Sequence, residues 1–207
     1  MYKHIIWDFD GTLFDTYPVM ASIFKELLEE RGNNEPLEEI INQMKVSMSH
    51  ALKYYEAKYQ IDHDFIEKYK MKRKNIEVGI SKPFAGVEEI CKYIYDSNKH
   101  NYLYTHRGES SIQLLKKFGL DKYFTDFITS ENGFKRKPSP DAILYLVEKH
   151  SFDPSQAIMI GDRDLDILSA KNAGVDGCFF TEGKVNSEIS DYTIDDLQKL
   201  YSIIDDK

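Results

Sequence analysis

The chain has 207 residues, 42% of them hydrophobic, with 27 Lys and Arg against 35 Asp and Glu, a net charge of −8. That composition supplies an ample core and argues against disorder. The acidic balance disfavours a nucleic-acid binder, whose affinity rests on neutralising phosphates, and the longest clear apolar stretch, Ala142 to Val147, is far too short to span a bilayer.

In chain order, Lys3 to Asp8 reads as a short buried strand, apolar and β-branched, stopped by Asp10 and Gly11. From about Pro18 to Val78 the texture is helical. Val19, Ile23, Leu27 and Leu28 recur at helical spacing, as do Leu37, Ile40, Ile41 and Met44, then Ala51, Leu52, Tyr55 and Tyr59, and more loosely Phe65, Tyr69 and Ile76. This pattern predicts a four-helix bundle. After "GISKPFAG" strands and helices alternate: a helix over Gly86–Ser97, a strand over Tyr102–Thr105, a helix over Ser110–Phe118 and a strand over Asp126–Thr129. "KPSPDAILYLVEKH" predicts a helix with Ser139 as N-cap and Pro140 at its first position. "AIMIGD" predicts a strand, "DLDILSAKNAG" a helix ending at Gly174, and "DGCFF" a strand. Thr193 and Asp196 resemble a capping box for the last helix.

Alternating strands and helices imply an α/β fold, a Rossmann-like parallel sheet covered on both faces. The four-helix block is then an insertion after the first strand. The expected division is residues 1–15 with 80–207 as the core and 16–79 as the insertion. Cys91 and Cys178 form no metal or disulfide pattern and read as reduced, buried thiols. The N-terminus opens almost directly into a strand, so no targeting peptide is expected, and the expected compartment is the cytoplasm.

In an open parallel sheet, ligands bind beyond the carboxyl ends of the strands. Those ends carry Asp8 and Asp10, Thr105, Lys137 just before a helix, and Asp162 with Asp166 four positions on. Each alone has an ordinary explanation: Asp-Gly is common turn chemistry, Lys-Pro precedes many helices, and Asp166 suits a helix N-terminus. Together they suit phosphoryl transfer with Mg2+, which takes hard oxygen ligands from a few carboxylates. Lys137 and Thr105 can hold a phosphate, backbone amides after the first strand can cradle its oxygens, and one carboxylate can attack phosphorus.

"DFDGT", a Thr ending the second strand, a Lys before a helix and "GDRDLD", in this order, resemble the haloacid dehalogenase superfamily over nearly the whole chain except the helical insertion. The insertion sits where the family places a helical cap, in the subgroup of phosphoglycolate phosphatase and β-phosphoglucomutase. The resemblance implies that Asp8 is the nucleophile and Asp10 the general acid/base. It implies a Mg2+ site from Asp8, the Asp10 backbone carbonyl and Asp162, supported by Asp166, and phosphate binding by Thr105 and Lys137. Phe9, Gly11 and Thr12 complete the phosphate-binding turn. A neighbouring carboxylate and partial burial are expected to raise the pKa of Asp10 for its acid role.

The position after the motif Thr is often Asn in the family; here it is His106, followed by Arg107. His106 or Arg107 is expected to reach the leaving group or a second anionic group. Lys45, Ser47, His50 and Lys53 are candidates for selecting substrate from the cap. The expected activity is a Mg2+-dependent phosphatase acting on a small phosphorylated metabolite, phosphoglycolate among the candidates alongside sugar phosphates and nucleotides. A phosphomutase is the alternative enzyme, and a non-catalytic phosphate-binding module the alternative of another class. Dehalogenation is disfavoured, because it calls for neither Asp10 nor the acidic cluster.

Overall fold

The computed structural model describes residues 1–183 and 187–205. Strand β1 (His4–Trp7) is followed by the two-residue strand β2 (Phe14–Asp15). Four helices come next: α1 (Tyr17–Glu30), α2 (Leu37–Val46), α3 (Met48–Tyr59) and α4 (His63–Ile80). Then β3 (Lys82–Pro83), which pairs with β2, leads to α5 (Val87–Asp96), β4 (His100–Tyr104), α6 (Ser110–Lys117) and β5 (Phe124–Ile128). The remainder is α7 (Asp141–His150), β6 (Ala157–Gly161), α8 (Asp164–Asn172), β7 (Asp176–Phe180), β8 (Tyr192–Ile194) and α9 (Leu200–Asp205).

The chain divides into two compact units, residues 1–14 with 83–207, and residues 15–82. The first is built on a six-stranded sheet in the order β5-β4-β1-β6-β7-β8, every pairing parallel. β1 sits between β4 and β6, so its residues are covered on both faces; this is why Ile5, Ile6 and Trp7 form an unbroken apolar run, each fully buried. β6 repeats the pattern with Ile158, Met159 and Ile160. Polar groups within this core are paired. Trp7 Nε1 donates to Asn101 Oδ1 at 2.9 Å, and Asn101 Nδ2 donates to the Cys91 and Tyr123 carbonyls. From β1 the chain moves to β4 and β5, then crosses back to β6 on the other side of β1. That reversal places a crevice beyond the carboxyl ends of β1, β4 and β6.

The second unit is all helical. Phe24 of α1 packs against Tyr55, Phe65 and Tyr69 with centroids 4.9–5.3 Å apart, so the tyrosines of α3 and α4 serve packing. Ser47 Oγ accepts the His50 N–H and caps α3, and the His50 ring bonds Gln43. No helix among the described residues is long and apolar enough to cross a membrane.

Two terminal expectations are corrected. α7 begins at Asp141, with Pro140 rather than Ser139 at the N-cap position. Thr193 lies in β8, a sixth strand too short for periodicity to show, and Asp196 itself caps the following 3-10 turn by accepting the Gln198 N–H.

Candidate active site

β1 delivers Asp8. Its backbone N–H donates to the Ile160 carbonyl at 2.9 Å, so Asp8 extends the β1–β6 ladder by one residue and is pinned at the strand end. The chain then wraps tightly. The Phe9 carbonyl accepts the N–H groups of Thr12, Leu13 and Phe14, and the Gly11 N–H donates to the Phe14 carbonyl. Gly11 has φ of +81°, a left-handed conformation that a side chain would strain. The amides of residues 11 to 14 are therefore committed within the turn. The Phe9 ring lies in the core, stacked on Phe14 at 4.7 Å. In this turn, where the sequence reading expects a phosphate cradle at Phe9, Gly11 and Thr12, the Phe9 side chain and the Gly11 amide serve the fold. Thr12 Oγ1 is buried without a hydrogen-bond partner among the described residues.

Lys137, from the loop before α7, is the hub. Its ammonium donates to Asp8 Oδ1 at 2.6 Å and to the Tyr104 carbonyl at 2.8 Å, and stands 2.8 Å from Asp166 Oδ1. The ammonium also lies 4.4 Å from the centre of the Tyr104 ring, a cation–π contact. β6 delivers Asp162, and Asp166 follows in the first turn of α8, where its Oδ2 accepts the Arg163 N–H at 3.1 Å. Asp166 lies so close to Gly161 that a Cβ there would fall 2.3 Å from the Asp166 Cβ.

Asp8, Asp162 and Asp166 each present an oxygen within 4.8 Å of the others, a group that could hold a metal ion. The donor set fits a hard divalent cation: carboxylate oxygens only, nothing soft. Asp8 Oδ2 supports this fit, because it is buried and has no hydrogen-bond partner among the described residues. Burial and the charge of Asp166 push the Asp8 carboxyl above its ordinary range, with Lys137 and Arg163 pulling against them. Asp166 is equally buried, yet Lys137 and Arg163 outweigh that and hold it below the ordinary range. Lys137 stays above its usual value because Asp166 and Asp8 outweigh burial.

The Asp10 side chain is not in the carboxylate group. Its Oδ1 accepts from Arg107 Nη1 at 2.8 Å. Of the sequence-predicted metal residues, three side chains converge and Asp10 turns away, toward a guanidinium instead of the expected neighbouring carboxylate. Arg107 is itself buried, donates from Nε to Ser110 Oγ at 2.9 Å, and lies over the Phe9 ring at 5.4 Å. His106 Nε2 accepts the Lys137 backbone N–H at 2.8 Å. Burial, with the charges of Lys137, Arg136 and Arg163, holds His106 down to about 3, so the ring is a neutral acceptor. Both side chains, expected from sequence to reach the leaving group or a second anion, are held by partners within the fold. Thr105 is buried at the end of β4, with its N–H on the Ile128 carbonyl and its Oγ1 accepting the Arg107 N–H.

Two residues escaped the sequence reading. Tyr104 contributes a carbonyl and a ring face to Lys137, and nothing in its local sequence signals this. Arg163 stands within 4 Å of Asp8, Asp162 and Asp166. Its signal was its place inside "GDRDLD", between two site carboxylates.

Residues 5–180 match the model of the haloacid dehalogenase-like hydrolase family. A Clostridium perfringens protein named as a candidate pyrophosphatase, PpaX, is 30% identical over 183 residues, spanning 86% of this chain and 83% of its own. A Vibrio parahaemolyticus protein named phosphoglycolate phosphatase is 27% identical, spanning 98% of this chain and 96% of its own. Among solved structures, a hydrolase from Streptococcus pneumoniae TIGR4 superposes with a TM-score of 0.68 at 30% identity, covering 99% of this chain and 98% of that one.

Proposed function

The chain belongs to the haloacid dehalogenase-like hydrolases, and from that premise we propose that it is a Mg2+-dependent phosphatase that hydrolyses a small phosphomonoester through an aspartyl-phosphate on Asp8. The observation that carries the reading is the state of Asp8. One carboxylate oxygen is held by Lys137 at 2.6 Å, and the other is buried beside Asp162 and Asp166 with no hydrogen-bond partner among the described residues. A carboxylate so restrained at a strand end is oriented for attack.

Asp8, Asp162 and Asp166 are the side chains that would hold the metal, which when bound would offset their charge and polarise a phosphoryl oxygen. An Asp8 oxygen attacks phosphorus, the bond to the leaving oxygen breaks, and Asp10 gives that oxygen its proton. Asp10 then takes a proton from water as the water attacks the aspartyl-phosphate, which restores Asp8 and releases phosphate. General acid/base help of this kind is worth ~10²–10⁴ in rate. Arg107 orients Asp10, Thr105 offers its hydroxyl to the phosphate, and Lys137 balances charge on the transferring group. To the helical unit, residues 15–82, we assign the choice of substrate, as the resemblance to the capped subgroup implies.

Phosphoglycolate and inorganic pyrophosphate, the compounds in the relatives' names, are the first to assay in a phosphoester panel with Mg2+, scored by phosphate release. Hydrolysis of a monoester that needs Mg2+ and is lost in Asp8→Asn supports the reading. A wild-type rate in Asp8→Asn overturns it, and a strict preference for pyrophosphate moves the substrate from an ester to an anhydride.

A further inference from the structure

The carboxylates of the site are faced by two cations, Lys137 and Arg163. Lys137 donates to Asp8 and to the Tyr104 carbonyl and stands 2.8 Å from Asp166 Oδ1. Arg163 does something different. Its Nη2 stands 3.8 Å from Asp8 Oδ2, and its Nε stands 3.8 Å from Asp162 Oδ1 and 3.6 Å from Asp166 Oδ2. These are ion-pair separations, longer than the 2.7–3.2 Å of an N–H···O hydrogen bond. One guanidinium thus faces every carboxylate of the group, with an oxygen of each within 4 Å.

The position is built in. Arg163 is the N-cap residue of α8, with extended backbone at φ −132° and ψ 150°. Its N–H is held by Asp166 Oδ2, and its side chain is only 15% exposed. Rooted between two of the carboxylates, the charge cannot diffuse away, and a guanidinium keeps its proton throughout the working pH range.

We propose that Arg163 is a positioning residue that acts as a fixed internal cation, weakening the hold of the three carboxylates on a divalent metal and strengthening the hold of the site on the phosphate dianion. The proposal rests on the metal-and-phosphate reading of this site. Without metal, three carboxylates face Lys137 and Arg163, so Arg163 relieves repulsion that would otherwise favour metal uptake. With the metal in place, the metal and Lys137 together offset the three carboxylates, and Arg163 supplies net positive charge for an incoming phosphate. One charge therefore moves two affinities in opposite directions.

The test is calorimetry on the intact chain with Mg2+ alone, then with inorganic phosphate at saturating Mg2+, for wild type, Arg163→Met, Arg163→Gln and Arg163→Lys. A charge this close in a partly dry site should shift each affinity on the order of tenfold. Arg163→Met and Arg163→Gln are expected to bind Mg2+ about tenfold tighter and phosphate about tenfold more weakly, with Arg163→Lys restoring both toward wild type. Melting curves in chelator check that each variant folds, and Mg2+ should raise the midpoint more in Arg163→Met than in wild type. If Arg163→Met and Arg163→Gln fold and bind Mg2+ with wild-type affinity, Arg163 only packs against the helix start and the proposal is overturned. If wild type itself shows no Mg2+ binding, the metal reading of the three carboxylates falls, and the proposal falls with it.

Discussion

The Lys137 ammonium donates to Asp8 Oδ1 at 2.6 Å, with both side chains buried and the two residues 129 positions apart in the chain. The pair ties the loop before α7 to the end of β1. It also restrains one oxygen of Asp8 while Oδ2 stays without a hydrogen-bond partner among the described residues.

Breaking that pair from the lysine side is expected to be severe. Lys137→Met leaves Asp8 and Asp166 buried without their shared cation, which should cost about 3–5 kcal/mol. Denaturant titration in chelator measures the loss, and phosphatase activity should vanish with it.

Breaking it from the aspartate side is expected to separate activity from stability. Asp8→Asn keeps an oxygen for Lys137 and removes a charge that burial disfavours. Turnover should fall at least ~10³-fold, as for loss of a nucleophile, while the metal-free melting midpoint stays level or rises. A parallel fall in both would show that Asp8 is chiefly structural.

His106 should act through Lys137. His106→Leu removes the acceptor for the Lys137 N–H, and kcat should drop by roughly tenfold, the worth of one well-placed hydrogen bond, to the same degree for every leaving group. His106→Gln offers an oxygen at similar reach and should recover most of the rate. Losses that vary strongly with the leaving group would return His106 to direct substrate contact.

Gly161 should tolerate no side chain. A Cβ would lie 2.3 Å from the Asp166 Cβ and 2.8 Å from its Oδ2, so Gly161→Ala must push Asp166 away from Lys137. Overpacking of this kind costs about 1–3 kcal/mol. Calorimetry should also show weakened Mg2+ binding, which a remote packing defect would leave intact.

Stability should depend on pH through His4. Its ring stacks on Phe152 with centroids 4.0 Å apart, and its Nδ1 lies 3.0 Å from the Tyr102 hydroxyl. Burial, then the charges of His100, His150 and Lys3, hold it down to about 4 from the ordinary 6.5. Between those values the unfolded chain binds a proton that the folded one refuses. The stabilisation is therefore full above about pH 6.5 and is lost as the pH falls toward 4. The loss amounts to at most about 3 kcal/mol. Urea titrations at pH 7 and 4.5 should show it, and His4→Gln should flatten the slope.

Some features of this protein were local enough to read in the chain. The run Ile5-Ile6-Trp7 could only be a strand covered on both faces, the helical spacing from Val19 to Ile76 could only be packed helices, and Asp8, Asp162 and Lys137 fell at element ends because strands stop where Asp, Gly and Pro break the pattern. Backbone period and turn chemistry act over a few residues, so sequence determines them. Even there, β8 is too short for its period to register, and Thr193, which resembles a cap in sequence, lies within it.

The directions of loop side chains were a different matter. Arg107 and Asp10 are 97 residues apart, and His106 and the Lys137 amide 31. Only the parallel order β4-β1-β6 brings their loops to one rim. Once there, each polar group must find a partner or bear the cost of burial. That requirement turned Asp10 to Arg107, spent His106 on the main chain of Lys137, and set Arg163 facing three carboxylates. Chain order determined which charged groups reach the rim; tertiary packing decided which of them meet.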